Sequence, residues 1–202
     1  HIDETTIPNA EDASLGLVGQ ISQNDKSAQF KFDLNDEVGQ LVKTQLDKAG
    51  KSYVNNGFGR DVTADAFEAW TVHSYAGDFN PPHVHTGGMS GVGYFRMPDD
   101  IEEEWLLEDH DPSAGLINFW DGRFAPMSMT NFKVKPRVGD IYIFPAWLSH
   151  SVHPFRSKGE RWSFSFNLSV QNMNNDTKLT NLQKVELRLE RKKLIKDMKS
   201  AS

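Results

Sequence analysis

Three histidines and one arginine are the residues of this chain best placed to do chemistry. His83 and His85 stand two apart in the run Pro82-His83-Val84-His85-Thr86-Gly87. On a β-strand, residues i and i+2 project from one face, so both imidazoles can reach one metal ion. His150 follows 67 residues after His83, just past the turn Pro145-Ala146-Trp147. Metal sites draw on ligands distant in sequence and close in the fold, and this third histidine turns a weak His-x-His signal into a candidate set. The chain has no cysteine, so any metal must be held by His, Asp or Glu. Asp78 is the nearest carboxylate before His83, and its place in the run GDFNPP reads as that of a turn-former. Arg161 opens a segment that alternates strictly. Trp162, Phe164, Phe166 and Leu168 fall on one face, and Arg161, Ser163, Ser165 and Asn167 on the other. The apolar face must be packed. The polar face would be a wet surface on an isolated strand, but set opposite His83 and His85 it reads as a cavity wall. The remaining histidines read as bland: His73 as packing beside Trp70 and Tyr75, His153 as facing away from His150, and His110 as part of an acidic run.

The elements that must position these residues are mostly strands. From residue 67 onward, short strand candidates alternate with Gly, Pro, Asn and Asp turns: 67–75, 84–85, 91–96, 115–119, 131–135, 140–144, 151–155 and 161–170. So many short strands in so little chain predict a mainly β sandwich or jelly-roll barrel rather than a parallel α/β sheet. Ahead of them, Leu34-Asn35-Asp36-Glu37 marks a helix start, with Val38, Leu41, Val42 and Leu46 at helical spacing and an end expected at Gly50. Such a helix packs on the outside of a sheet. A second, basic helix is expected near the C-terminus, about 180–199, packed on the sheet or, alternatively, joining two copies into a homodimer. Residues 1–13 read as a loosely held arm. The segment 99–111 carries eight acidic residues and reads as a solvated connection, with a mobile lid as the alternative.

Composition narrows the classes. At 202 residues the chain is expected to be one domain, with its motif-bearing core over about 67–170. No apolar run approaches the roughly 20 residues that span a bilayer, so no membrane role is expected. A net charge of −6 argues against nucleic acid as a partner, because such binding rests on phosphate neutralisation. The absence of cysteine rules out a disulfide scaffold and fits a reducing, cytoplasmic location. There is no glycine-rich phosphate loop and no internal repeat.

Taken together, His83-x-His85, His150 and Arg161-x-Ser163 resemble the iron(II)- and 2-oxoglutarate-dependent oxygenases. The resemblance is closest to a 2OG-Fe(II) oxygenase subgroup of bacterial and phage sequences related to the prolyl 4-hydroxylases. The runs NPPHVHTG, SGVGYFRMP, GDIYIFPAWLSHSVHP and GERWSFSFN carry it, over about 70–168. It implies a mainly β, double-stranded β-helix (jelly-roll) core flanked by N-terminal and C-terminal helices, and a dioxygenase acting as a hydroxylase, in which Fe(II) is held by His83, His85 and His150. It also implies that Arg161 grips the far carboxylate of the cosubstrate 2-oxoglutarate, with O2 as a substrate. Ser163 would add a hydroxyl hydrogen bond, and Asn167 and Tyr94 would complete the cosubstrate pocket. No catalytic residue beyond the metal centre is implied. Most of these enzymes carry Asp or Glu where this chain has His85, completing a two-His-one-carboxylate triad. The subgroup that this chain resembles uses His-x-His. The prime substrate would be a peptide side chain or a small metabolite.

Two other readings compete. A three-His cupin-type metal dioxygenase would use similar spacing without 2-oxoglutarate, but it would leave Arg161-x-Ser163 without a purpose. A non-enzymatic jelly-roll binding protein would keep a vestigial site. Three histidines on an open tetrahedron also suit zinc.

Overall fold

The computed structural model describes residues 19, 28–107, 112–122, 127 and 130–172, all but the last within one compact unit, 1–171. The arm at 1–13 and the helix expected at about 180–199 lie outside the described residues. The elements in order are β1 (Ala28–Lys31), α1 (Glu37–Phe58), β2 (Val62–Ser74), β3 (Asn80–His83), β4 (Met89–Arg96), α2 (Ile101–Trp105), β5 (Ile117–Trp120), β6 (Asn131–Val134), β7 (Ile141–Pro145), β8 (Ser149–Val152) and β9 (Arg161–Asn172). They form two sheets, ordered β1-β2-β9-β4-β7 and β3-β8-β5-β6, in which the pairs β1–β2, β4–β9, β4–β7, β3–β8, β5–β8 and β5–β6 are antiparallel. This is the jelly roll that the strand pattern predicts, in the double-stranded β-helix form that the resemblance implies.

Strand β9 explains how the two sheets divide the labour. Phe164, Phe166 and Leu168 turn outward into a core shared with Leu46 and Val54 of α1. Arg161, Ser163 and Ser165 turn inward between the sheets. Fully burying each large apolar side chain contributes roughly 1.5–3 kcal/mol, so the outward face anchors the helix firmly. The inward face is left free to be polar. A second core, with Val92, Tyr94, Ile117, Phe119 and Phe144, closes the space between the sheets.

Helix α1 begins as its sequence indicates, with the Asp36 carboxylate accepting from the Gly39 amide at 2.6 Å. It does not stop at Gly50. It runs to Phe58 and ends on Gly59, whose left-handed φ of 62° directs its N–H to the Asn55 carbonyl. Gly50 serves close approach instead. A Cβ there would sit 3.1 Å from both Ala64 Cβ and Met89 Cε, so glycine lets the helix lie down on the sheet.

Other departures have equally local causes. Strand β1 was not expected, although Gln29, Phe30 and Lys31 pair in register with Val72, Thr71 and Trp70. Strand β3 covers Asn80–His83 rather than 84–85, and it tolerates Pro81 and Pro82 because it is the sheet's edge, where missing N–H groups cost little. The acidic segment holds a short helix, α2, rather than a bare connection.

Candidate metal centre

The metal candidates converge across the β3–β8 edge. His83 is the register partner of His150 in the antiparallel pair. His85 reaches the same point by a different route than strand alternation. It lies beyond the end of β3, where its backbone N–H donates to the Ala146 carbonyl at 2.9 Å. The turn after β7 thus positions His85 and leads directly into the strand that carries His150. One candidate donor atom from each of the three rings lies within 4.8 Å of the others. Among the described residues no carboxylate joins them in this cluster.

Two of the three imidazoles are fixed in the tautomer a metal needs. The Nδ1–H of His83 donates to the Pro81 carbonyl at 2.7 Å, and that of His150 to the Leu148 carbonyl at 2.9 Å. Both bonds leave Nε2 as a lone pair. Nε2 of His85 lies 3.2 Å from Nε2 of His150, and their rings stack at 28°. Burial keeps all three rings neutral. It lowers the pKa of His83, and it lowers His85 to about 3, helped by the neighbouring His150 and His83. His150 falls to about 4, again chiefly through burial, as Phe144 and Phe119 pack on it at 4.7 and 5.9 Å. At neutral pH the site therefore offers lone pairs rather than protons, which is the state in which imidazole binds a divalent ion.

The same cavity holds a buried cation. Arg161 is 2% exposed, and its guanidinium donates to Ser74 Oγ at 2.9 Å and, at a marginal 3.5 Å, to the Gly115 carbonyl. The Phe155 ring lies 5.7 Å from its central carbon. Nε has no hydrogen-bond partner, and no carboxylate among the described residues comes within ion-pair distance. Burial pulls its pKa down, partly offset by Tyr94 and Asp78. A guanidinium buried with so few partners would be stabilised by an anion.

Around these groups the cavity measures about 50 Å³. Ser163 lines it and is the register partner of Tyr94 on β4, which lines it too. Burial raises the Tyr94 pKa, so its phenol stays protonated and can donate. Asn167 is on the expected face but does not line the cavity. Its Nδ2 donates to Glu68 at 2.8 Å, and its Oδ1 accepts from Ser90 Oγ at 2.9 Å, which ties β9 to β2 and β4. His73 is turned outward, paired with Glu160 at 2.5 Å and stacked on Trp162. Its role is structural. Sequence reasoning missed Ser74 and Trp70. Both fall with Val72 on one alternating face of β2, so extending the period-2 count to that strand would have found them.

Comparison with known proteins agrees with this architecture. A family profile described as "Putative 2OG-Fe(II) oxygenase" matches residues 68–167. Over this segment the chain belongs to the 2OG-Fe(II) oxygenase family. Among solved structures it is similar to an oxidoreductase of that family from Burkholderia pseudomallei, at 12% identity and a TM-score of 0.51, over 74% of this chain and 72% of the other. It is also similar to HygX from Streptomyces hygroscopicus with nickel, 2-oxoglutarate and hygromycin B bound, at 11% identity and a TM-score of 0.50, over 82% and 75%. A prolyl-4-hydroxylase from Pseudomonas putida aligns at 18% identity and a TM-score of 0.44, over 74% and 77%. At such identities the first two likenesses speak for the fold alone. No curated protein sequence matches the chain. No described helix is long and apolar enough to cross a membrane.

Proposed function

We propose that the protein is an Fe(II)- and 2-oxoglutarate-dependent dioxygenase, acting as a hydroxylase on a peptide side chain or a small metabolite. His83, His85 and His150 would hold the iron, and Arg161 would hold the far carboxylate of 2-oxoglutarate. One observation carries the reading above the rest: a fully buried guanidinium, with no carboxylate among the described residues at ion-pair distance, lines the cavity into which three neutral imidazoles converge. A metal site alone would explain the histidines. It would leave Arg161 unaccounted for, whereas an anionic ligand would give the guanidinium a partner.

Iron(II), with 2-oxoglutarate and O2, supplies oxidative decarboxylation to succinate and CO2 coupled to oxidation of a substrate C–H bond. The chain's part is position and electrostatics. The Pro81 and Leu148 carbonyls orient two ligand rings. Arg161 presents a planar fork that matches a carboxylate, with Ser74 Oγ and the Gly115 carbonyl each holding one of its terminal nitrogens. Ser163 and the protonated Tyr94 offer hydroxyl donors beside it. Phe144 and Phe119 keep water from the back of His150.

The test is anaerobic addition of Fe(II) and 2-oxoglutarate, followed for the visible metal-to-ligand charge-transfer band of the chelate. The band is expected in the wild type and, at the same 2-oxoglutarate concentration, not in Arg161→Ala. The all-histidine donor set favours a second reading, a three-His metal dioxygenase that takes no 2-oxoglutarate. Iron binding with no band, and turnover indifferent to 2-oxoglutarate, would establish that reading instead.

A further inference from the structure

We propose that the acidic helix α2 is a brace for Arg161, with Glu104 and Trp105 as positioning residues that hold the guanidinium where it meets the cosubstrate's carboxylate. The inference rests on the reading of Arg161 as the anion clamp. Of the groups that touch the guanidinium, Ser74 sits on a strand. The other two, the Gly115 carbonyl and the Phe155 ring, belong to segments without regular structure. Something must keep those segments still.

Helix α2 grips both. The Trp105 indole N–H donates to the Ala114 carbonyl at 2.8 Å, one residue before Gly115. The Glu104 carboxylate takes three donors from the other segment, immediately after Phe155. The Arg156 amide lies 3.0 Å from each oxygen, the Ser157 amide donates at 2.8 Å, and Ser157 Oγ at 2.6 Å. Ile101 packs with Ala114 and Phe155 between the two grips. The Gly115 amide donates to the Pro154 carbonyl at 3.2 Å and ties the segments to each other. Gly115 has a φ of 66°, a conformation that suits glycine, so its carbonyl can face Arg161 while its backbone stays against Ile101 and Phe155.

A helix that only kept an acidic surface wet would not bury one of its carboxylates. Glu102 and Glu103 are exposed, whereas Glu104 is 8% exposed. Its hydrogen bonds and the nearby Arg156 charge outweigh the cost of burial and keep it ionised. The arrangement makes Glu104 a charged anchor for a loop whose next function, four residues past Ser157, is to deliver Arg161.

The test uses the guanidinium itself as the reporter. In the 15N-labelled protein, the Arg161 Nε–H should give a slowly exchanging signal, assigned by its loss in Arg161→Met. Glu104→Gln keeps the shape and removes the charge. It is expected to shift this signal and speed its exchange about tenfold, the equivalent of one weakened charged hydrogen bond. Trp105→Phe, which removes one donor, and Ser157→Ala should act in the same direction to a smaller extent, and they carry the test if Glu104→Gln fails to fold. Zinc affinity at the three histidines should stay within about twofold, since no part of the brace touches them. An unchanged Arg161 signal in folded variants would overturn the proposal, as would a parallel loss of zinc affinity, which would mean general loosening. In the same samples, 2-oxoglutarate affinity should fall about tenfold with Glu104→Gln, and not at all when that change is added to Arg161→Met. A wild type that binds no 2-oxoglutarate would sink the clamp reading, while the Arg161 signal would still decide the brace.

Discussion

Arg161→Met should leave the ligand-free protein as stable as the wild type or make it more so, and should abolish the stabilisation that 2-oxoglutarate brings. The reasoning is electrostatic. Taking a guanidinium out of water costs several kcal/mol even after relaxation, and a buried charge offsets that only through close partners. Arg161 has one good hydrogen bond, one marginal one, and a bare Nε. Asp78, itself buried, supplies a further attraction from beyond ion-pair distance. At an effective dielectric of about 20 that term is smaller than about 4 kcal/mol. Methionine fills most of the stem's volume and removes the desolvation cost, so the net change should fall between zero and a gain of about 2 kcal/mol. Urea denaturation of the metal-free protein measures it, and a gain of that size would raise Tm by roughly 4–8 °C. With metal and 2-oxoglutarate at 100 times its Kd, the wild type should gain about 2.7 kcal/mol and the variant almost nothing, reversing their order. A loss of more than about 2 kcal/mol in the ligand-free variant would refute the reasoning. It would mean that the protein itself already neutralises Arg161 and that the cavity has no need of an anion.

Three further predictions concern other links. His85→Ala should weaken metal binding by more than the 10–100-fold typical of losing an orienting partner, while His85→Asp should retain it; equal affinities in competition with a chromogenic chelator would remove His85 from the ligand set. Gly91→Ala should destabilise the fold by at least about 1–3 kcal/mol in urea titration, because a Cβ there would come within 2.7 Å of Phe166 Cε2, in a ring with no room to move. The Glu104 carboxyl is held below its ordinary 4.5 in the folded protein. Its contribution is therefore complete at neutral pH and lost as pH falls through and below that range. Glu104→Gln should be less stable than the wild type by about 2–3 kcal/mol at pH 7, with the gap closing below about pH 4.5; a pH-independent gap would contradict the assignment.

How much of this could be read in advance depended on whether the information lay in a pattern or in a meeting of segments. The two faces of β9 were legible because alternation is a property of the strand itself, and the outward Phe164, Phe166 and Leu168 fall where the pattern requires. His83 and His150 were legible because residue type and spacing marked them. The geometry of His85 was not. Strand alternation puts it on the correct side by an incorrect route, because β3 ends at His83 and a backbone bond to Ala146 does the positioning. Gly50 misled for a related reason: a glycine that permits close helix–sheet packing looks, in sequence, like one that ends a helix. Asn167 shares a face with Arg161, yet Glu68, 99 residues away, claims its side chain. The surroundings of Arg161 had no sequence signature at all, since one of its partners is a main-chain carbonyl and another, Phe155, is one of thirteen phenylalanines.

The proposed place of His85 among the metal ligands and the sparse partnering of Arg161 are best understood together. Three neutral imidazoles add no negative charge to a divalent ion, and Arg161 adds a positive one to the same cavity. A carboxylate triad would cancel one of those charges from within the protein. With the proposed ligand set the cancellation would fall to an anion that enters. A dicarboxylate whose one end meets the ion and whose other end meets Arg161 would neutralise both termini at once, and either end alone would leave a buried charge unanswered. On this argument the all-histidine site should discriminate more strongly against monocarboxylates than a carboxylate-bearing site does. Comparing 2-oxoglutarate with pyruvate in the wild type and in His85→Asp measures this directly. The ratio of their affinities should narrow in the variant, where the metal centre carries one positive charge less and the total attraction for a second carboxylate is weaker. A ratio that stays the same would place the selectivity in Arg161 alone.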